Sequence, residues 1–440
     1  MGSAHSKKAP PVIGSSPFPL YCVKVMGSRH FVVGGGGGAA KTGVPNYIEM
    51  FLITYNNFCK LRRSQDDIEL TLQAKKTFQI DTDPHSTMNM DVLCVGKPKD
   101  GKYLIAAGHD EYTNLYETMG FDVAAEHEGE IDGPSRLMFN CRHVAKFGTD
   151  FKSEQPYQKC IRFSKNIDAK GIKLATGGAD GVVRIWNISQ FLNDRDPTYH
   201  KTPVFVLSSH TGEVSDIDID KEGKFLISVG ADMKTIIWDI NLGTKLSVLS
   251  SPPDLETSHK VRSIRFVNLD SSGRSLVFVV AYQQIRRKSK SSSFLVLFEY
   301  SKETAKTRVI EQKEIRDEAI STLGVSDCGR FTSIGSMGGL VAVYDTNSLE
   351  QLYYAKETHG IFVTGIEFLP SNTLDTESIL PGPASHSKAS VLSISADKTI
   401  QIHHVPYPKS ASTMEFLLKF TVISLLLSLI INWLIQNYLN

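Results

Sequence analysis

The sequence predicts an all-β protein, a seven-bladed β-propeller followed by a single C-terminal transmembrane helix. Two observations predict the propeller: a turn motif that recurs about every 50 residues, and an apolar strand before each recurrence. A third observation, one apolar run close to the end of the chain, predicts the helix. At 440 residues the chain is long enough to bury a large core.

The repeat consists of a small turn residue followed six positions later by an aromatic or imidazole residue. Its strongest copies pair Asp180 with Trp186 and Asp232 with Trp238, and the two aspartates lie 52 residues apart. Residues between the members of a pair alternate as in a strand, which is the pattern of hairpins with tight turns. Four short strands per unit at this period indicate a propeller blade. The seven units begin near Tyr21, Met88, Lys159, His210, His259, Glu318 and Gly360.

The units resemble the WD-repeat family. Trp238-Asp239 is the dipeptide that names the repeat, and His210-Thr211-Gly212 resembles the histidine that opens a unit. Units two and five carry insertions, at 120–150 and 286–293. The alternative is an irregular all-β protein with fewer blades.

Composition narrows the classes of function. The net charge is +1, so there is no bulk electrostatic case for nucleic acid or for acidic partners. None of the six cysteines has zinc-site or thioredoxin spacing, and we interpret them as scattered thiols in a reducing compartment. No apolar run opens the chain, so we expect no secretory signal peptide.

The C-terminal segment 416–435 is the predicted membrane span. As a helix it would be about 30 Å long, enough to cross a bilayer, whereas the alternative is a buried amphipathic helix. Lys409 and Lys419 precede or open the span, which predicts a propeller in the cytosol and a lumenal C-terminus. A short span suits the thin membrane of the endoplasmic reticulum. The predicted organisation is a flexible segment (1–17), a propeller (18–408), a linker (409–415), a helix (416–435) and a lumenal tail (436–440).

The N-terminus carries a separate signal. Residues 1–6 fit the N-myristoylation pattern, with Gly2 as the candidate lipidation site. The alternative is an ordinary disordered terminus.

A glycine-rich loop in the first unit is the candidate functional site. It follows the strand 31–33, precedes the strand 47–54, and is unlike a P-loop or a dinucleotide-binding turn because no helix can begin after it. It remains open whether the loop is a flexible tether or a compact protrusion. A compact loop can turn its carbonyl oxygens around a cation such as K⁺ and present Asn46 outward. The loop residues are Gly34, Gly35, Gly36, Gly37, Gly38, Ala39, Ala40, Lys41, Thr42, Gly43, Val44, Pro45 and Asn46.

Together these features resemble one family, the guanine-nucleotide exchange factor of the endoplasmic reticulum that acts on the small GTPase of the COPII coat. Its animal members are called prolactin regulatory element-binding protein. The resemblance covers nearly the whole chain. Its most specific segments are 34–46, Thr87-Met88-Asn89, 175–181, 352–354 and 359–364.

The resemblance implies a mechanism. The family's loop binds K⁺ and engages the GTPase to promote GDP release, which makes the protein a non-covalent catalyst of nucleotide exchange. The family's key asparagine corresponds to Asn46, for which the alternative is a turn residue after Pro45. Pro84 and His359 match other family positions near this face, and the alternative for His359 is a structural WD-type histidine. The implied partners are the COPII GTPase and the membrane of the endoplasmic reticulum.

Two further functions remain as alternatives. Many propellers only bind peptides, so the chain could be a membrane-anchored scaffold without exchange activity. The basic run 286–290 would be consistent with DNA binding as the function. We interpret it as a solvated insertion, because no recognition helix accompanies it. His403-His404 alternates along a late strand and is interpreted as structural.

Overall fold

The computed structural model describes two compact units, Met1–Val405 and Pro406–Asn440. The residues described are 10–40, 42–55, 72–123, 137–152, 154–193, 201–268, 273–286, 292–370, 383–384, 387–407 and 413–438. Gly2, Lys41 and most of the basic run 286–290 therefore lie outside the described residues.

The first unit is a ring of seven four-stranded antiparallel sheets, which confirms the predicted seven-bladed propeller. The first three blades are β2 (Leu20–Met26), β3 (His30–Gly35), β4 (Tyr47–Tyr55) and β5 (Leu72–Asp81); β6 (Asn89–Cys94), β7 (Tyr103–His109), β8 (Tyr112–Val123) and β9 (Leu137–Gly148); and β10 (Gln158–Phe163), β11 (Lys173–Gly178), β12 (Val182–Asn187) and β13 (Phe205–Ser208). A short helix, α1 (Ile188–Asn193), follows β12.

The next three blades follow the same order along the chain. They are β14 (Val214–Ile219), β15 (Phe225–Gly230), β16 (Thr235–Asp239) and β17 (Thr244–Val248); β18 (His259–Val267), β19 (Ser275–Gln284), β20 (Ser293–Ser301) and β21 (Thr307–Ile315); and β22 (Ile320–Val325), β23 (Phe331–Ser336), β24 (Val341–Asp345) and β25 (Gln351–Ala355). The first strand of each blade packs beside the first strands of its neighbours, so these strands line the central channel.

The seventh blade contains both ends of the propeller. It is formed by β26 (Val363–Leu369), β27 (Ala389–Ser395), β28 (Thr399–Val405) and the N-terminal strand β1 (Val12–Ser15). Because Ser15 pairs with Thr399 in antiparallel register, the N-terminus closes the ring. The expected flexible segment 1–17 and the propeller boundary at residue 18 are wrong at this point. A four-residue strand that contains Gly14 has too little pattern to be recognised in the sequence.

Apolar clusters between neighbouring blades hold the ring together. One cluster joins Phe31 and Phe51 of the first blade to Leu392 and Ile400 of the seventh, and all four are buried. Aromatic residues of the turn motif lie inside such clusters: Trp186 is fully buried, and its indole N–H donates to Thr176 Oγ1 at 2.9 Å. The repeat identified in the sequence therefore marks the residues that pack blades against each other.

The segment 120–150, predicted as an insertion, is largely part of the second blade. β8 and β9 pair from Tyr112 with Gly148 to Val123 with Leu137, and only 124–136 between them lies outside the described residues. The prediction was wrong because these strands run past the length of the other blades, and their outer parts lack the short apolar pattern of a core strand.

Charged side chains line the central channel, which contains a cavity of about 280 Å³. Arg265 lies 2.7 Å from Asp216, and Lys24 pairs with Asp91 at 3.3 Å and with Glu367. Burial alone would raise the pKa of Asp216, but Arg265 and Arg162 outweigh it and lower that pKa. The channel is thus lined by compensated charges.

The second unit contains one helix, α2 (Thr413–Tyr438), which begins inside the range 409–415 that we predicted as linker. Its described apolar side chains between Phe420 and Leu434 are exposed. Over the part of the chain that the structure describes, no helix combines the length and the apolar character needed to cross a membrane.

Candidate functional site

The glycine-rich loop begins later than the sequence predicts. Gly34 and Gly35 belong to β3 and pair with Ile48 and Tyr47 of β4, so the connection itself runs from Gly36 to Asn46. Both strand glycines are required by close packing. A Cβ atom at Gly35 would lie 1.9 Å from the carbonyl oxygen of Pro19. These two positions of the predicted site therefore support the blade and do not protrude from it.

The connection turns sharply at its start. Gly36 has a φ of 140°, a conformation that L side chains rarely adopt, and its N–H donates to the Pro19 carbonyl at 3.1 Å. A single turn of 3-10 helix follows at Gly38–Ala40. Ala39, Ala40, Thr42 and Gly43 are the exposed residues at the tip. The described part of the loop is therefore a compact turn, which favours the protrusion over the tether.

Asn46 closes this loop from inside. Its side chain is only 2% exposed, and its Oδ1 accepts the Gly38 N–H at 2.8 Å. Its Nδ2 donates to Asp83 Oδ1 at 2.7 Å and to the Pro84 carbonyl at 3.3 Å. We expected Asn46 to point outward, and this expectation is wrong for the free protein, because the amide is used to bind both sides of the loop base.

The segment that connects β5 to β6 supports Asn46. The Thr82 N–H donates to the Asn46 carbonyl at 3.0 Å, and the Thr82 hydroxyl donates to the His85 carbonyl at 3.0 Å. His85 Nδ1 lies 2.6 Å from Asp110 Oδ2, which ties this segment to the turn between β7 and β8. We call residues 82–87 the bracing segment.

The structure brings the candidate residues Asn46 and Pro84 together, although 38 positions separate them in the chain. Sequence reasoning missed Asp83 and His85, which complete the contacts around them. The Asp83-Pro84 pair is a turn signal, and it was the available hint that this segment changes direction beside another element.

His359 belongs to a buried network of the seventh blade. It is 3% exposed, its Nε2 lies 2.7 Å from Ser393 Oγ, and its Nδ1 lies 2.9 Å from Thr399 Oγ1. Burial lowers the pKa of His359, so the imidazole is held neutral. Its arrangement repeats that of His210, which bonds Ser228 at 2.8 Å and Asp232 at 3.0 Å. These contacts favour the structural alternative for His359.

His403 completes the same network. Its Nε2 lies 2.8 Å from Ser393 Oγ and its Nδ1 lies 3.1 Å from the hydroxyl of Tyr353. His403 thus occupies in the seventh blade the position that Trp238 occupies in the fourth. The Trp238 indole N–H donates to Ser228 Oγ at 2.8 Å, as His403 bonds Ser393. The structural interpretation of His403 agrees with these contacts.

Oxygen atoms converge inside the loop beside Gly37. A Cβ atom at Gly37 would lie 2.7 Å from Thr42 Oγ1, 2.7 Å from Val44 Cβ and 3.0 Å from the Val44 carbonyl oxygen. Neutral hydroxyl and carbonyl oxygens are the donors that K⁺ takes. Within the described residues, no group of three or more His, Cys, Asp and Glu side chains could hold a metal ion. Two oxygens of the kind that K⁺ takes therefore lie beside Gly37, next to the apolar Val44 Cβ.

Comparisons with known proteins agree with this architecture. The family model described as "WD domain, G-beta repeat" matches residues 158–187 and 201–239, which lie in the third and fourth blades. Crystalline Sqt1 of Chaetomium thermophilum superposes with a TM-score of 0.55 at 15% identity, covering 92% of this chain and 87% of that one. At that identity the match supports the fold alone.

Relatives of known function match most of the sequence. "Guanine nucleotide-exchange factor SEC12" of Mus musculus is 29% identical over 422 residues, which cover 92% of each protein. The protein of the same name from Rattus norvegicus is 29% identical over the same coverage. "SEC12-like protein 1" of Arabidopsis thaliana is 28% identical over 218 residues, 49% of this chain and 46% of that protein.

Proposed function

We propose that this chain, a homologue of the SEC12 guanine nucleotide-exchange factors over 92% of its length, promotes GDP release from the small GTPase that starts COPII coat assembly. That similarity is the observation that carries the proposal. It covers 92% of both proteins, whereas the WD-repeat family model matches 158–187 and 201–239 alone. As an exchange factor the protein is a catalyst that makes and breaks no covalent bond.

The structure suggests how the loop between β3 and β4 takes part. A GTPase holds GDP through its phosphate-binding loop and a Mg²⁺ ion, so an exchange factor must stabilise the state in which these contacts are open. A loop that is already ordered loses less conformational entropy on binding that state. Asn46 supplies this order in the free protein, because its side chain binds Gly38 of the loop and Asp83 of the bracing segment across the base of the loop.

A K⁺ ion bound inside the loop would also order it. Thr42 Oγ1 and the Val44 carbonyl, which lie close beside Gly37, would hold the ion together with further loop carbonyls. Once bound, the cation compensates the partial charges of oxygens that would otherwise repel each other at short distance. The chain's own contribution is to place these oxygens, and Gly37 leaves the space because it has no side chain.

A release assay tests the exchange proposal. The GTPase loaded with fluorescent mant-GDP is mixed with excess GTP, with and without the full chain in detergent, and the loss of fluorescence is followed. We expect the chain to accelerate release, and an Asn347→Ala variant to behave like the wild type, because Asn347 is exposed on a turn of the sixth blade. Unchanged release would reduce the protein to a docking scaffold.

The proposal includes residence in the membrane of the endoplasmic reticulum. It is supported by the run of exposed apolar residues in α2, which includes Leu425, Leu429 and Trp433. A single span with the propeller in the cytosol would confine exchange to one membrane and raise the local concentration of its substrate. Extraction of microsomes with alkaline carbonate tests this: the chain should stay in the pellet, and release of the protein would contradict an integral anchor.

A further inference from the structure

The two rims of the central channel carry opposite charge. Antiparallel strands place every connection that leaves a first strand on one side of the ring, and every connection that enters a first strand on the other side. We call the described residues of the first set the basic rim (27–29, 95–102, 164–172, 220–224, 268, 273–274, 326–330, 370, 383–384 and 387–388) and those of the second the acidic rim (16–19, 82–88, 149–152, 154–157, 209–213, 249–258, 316–319 and 356–362).

Charge counts distinguish the rims clearly. Among described residues, the basic rim has eleven Lys and Arg against five Asp and Glu, and the acidic rim has three against nine. The described connections beside the first strands therefore separate charge along the channel axis, although the net charge of the whole chain is only +1.

The loop 36–46 and the end of the propeller lie on opposite faces of the ring. The loop 36–46 joins the second and third strands of its blade, so it lies on the side of the acidic rim. β28 is the third strand of the seventh blade and runs parallel to its first strand, so Val405 ends on the side of the basic rim. The last strand of the propeller thus ends on the basic side.

Exposed apolar side chains accompany the basic charge. Ile167 is 45% exposed within the connection from β10 to β11, between Lys165 and Lys170. Leu242 is 68% exposed in the connection from β16 to β17, on the same side. Lysine around protruding apolar residues is the composition of surfaces that bind the interface of anionic bilayers.

We propose that the basic rim binds the anionic surface of the membrane that carries the protein, which turns the loop 36–46 towards the cytosol. The proposal rests on the membrane residence proposed above. A lipid surface is favoured over nucleic acid for two reasons. The propeller ends at Val405 on this side, shortly before the apolar helix α2 begins in the sequence, and Ile167 and Leu242 offer apolar contact that a phosphate backbone does not need.

Photocrosslinking in nanodiscs tests the proposal. The full chain is reconstituted into nanodiscs of phosphatidylcholine alone or with about 30% phosphatidylserine. Benzoylphenylalanine replaces Ile167, or Phe151 in the acidic rim as the matched position, and lipid adducts are measured by mass spectrometry. We expect at least about tenfold more adduct at 167 than at 151 in anionic discs, and a sharp fall in about 0.5 M salt.

Charge reversal identifies the responsible residues. The triple variant K97E/K170E/K221E should remove the adduct at 167, whereas K152E/K234E/K356E, which reverses exposed lysines on the opposite side, should leave it intact. Equal adducts at both positions in anionic discs would overturn the proposal. So would binding of duplex DNA that depends on Lys97, Lys170 and Lys221 without any lipid adduct. Failure of the chain to enter nanodiscs of either composition would instead contradict the membrane anchor.

Discussion

Replacing Asn46 with alanine is the perturbation that tests the loop most sharply. The substitution removes a hydrogen bond at 2.8 Å from the Gly38 N–H and one at 2.7 Å to the Asp83 carboxylate. A neutral bond contributes about 0.5–1.5 kcal/mol and one to a charged group about 1.5–3 kcal/mol. Asp83 is exposed and regains water, so we take the lower part of the sum, about 2–3 kcal/mol.

This loss acts on the loop and leaves the ring nearly untouched. A change of about 2–3 kcal/mol lowers the ordered fraction of the loop by about 30- to 150-fold once the unordered form dominates. The apolar clusters between the blades remain intact, so we expect the melting temperature to fall by less than about 3 °C. The mant-GDP assay should show kcat/KM for exchange reduced by at least about 30-fold.

An Asp83→Ala variant separates two roles of Asn46. If Asn46 acts by bracing the loop, Asp83→Ala should reproduce a large part of its effect, because Asn46 then loses its strongest acceptor. If Asn46 contacts the GTPase directly, Asp83→Ala should be much milder. Exchange by Asn46→Ala within threefold of the wild type, or a loss of exchange that merely follows a loss of folded protein, would refute the reasoning.

Three further predictions concern the loop, its cation and the buried histidines. Gly36→Ala should abolish exchange, because its Cβ would lie 2.1 Å from Asn46 Oδ1. Gly43→Ala meets no atom within 4 Å and is strained only by its φ of 78°, so its loss of exchange should be much smaller; equal rates for both variants would contradict the loop geometry. Replacing K⁺ with Na⁺ should slow exchange by the wild type, and indifference to the ion would remove K⁺ from the proposal. Burial lowers the pKa of His403 to about 3, so the unfolded chain binds one more proton between about pH 6.5 and 3, and stability falls as the pH drops through this window. At pH 5 the loss is about 2 kcal/mol, and melting curves should show a weaker dependence on pH for His403→Gln; an unchanged dependence would show that this imidazole is protonated in the fold.

The repeat made most of the ring predictable. The predicted unit starts at Tyr21, Met88, Lys159 and His259 fall within one residue of the observed first strands, because each blade buries its own turn motif. The closing strand Val12–Ser15 was missed because its partner lies at the other end of the propeller, and only the closed ring shows that a strand is needed there.

The site was less predictable than the fold. Composition indicated a loop between β3 and β4, but Gly34 and Gly35, which open the glycine run, belong to the sheet. Gly35 packs so closely on the Pro19 carbonyl that no side chain fits there. The direction of the Asn46 side chain is set by Asp83 and Pro84, which come from another connection. Contacts between distant segments leave no local periodicity, so burial of a polar loop residue escapes sequence analysis.

Replacing residues 36–46 with a two-residue Asn-Gly turn tests the central claim most directly. Such a turn can join β3 to β4 in their present register, since Gly35 already pairs with Tyr47. With circular dichroism and melting unchanged, we predict that acceleration of mant-GDP release falls to the uncatalysed rate. Full acceleration by this shortened protein would contradict the claim that the loop performs the exchange.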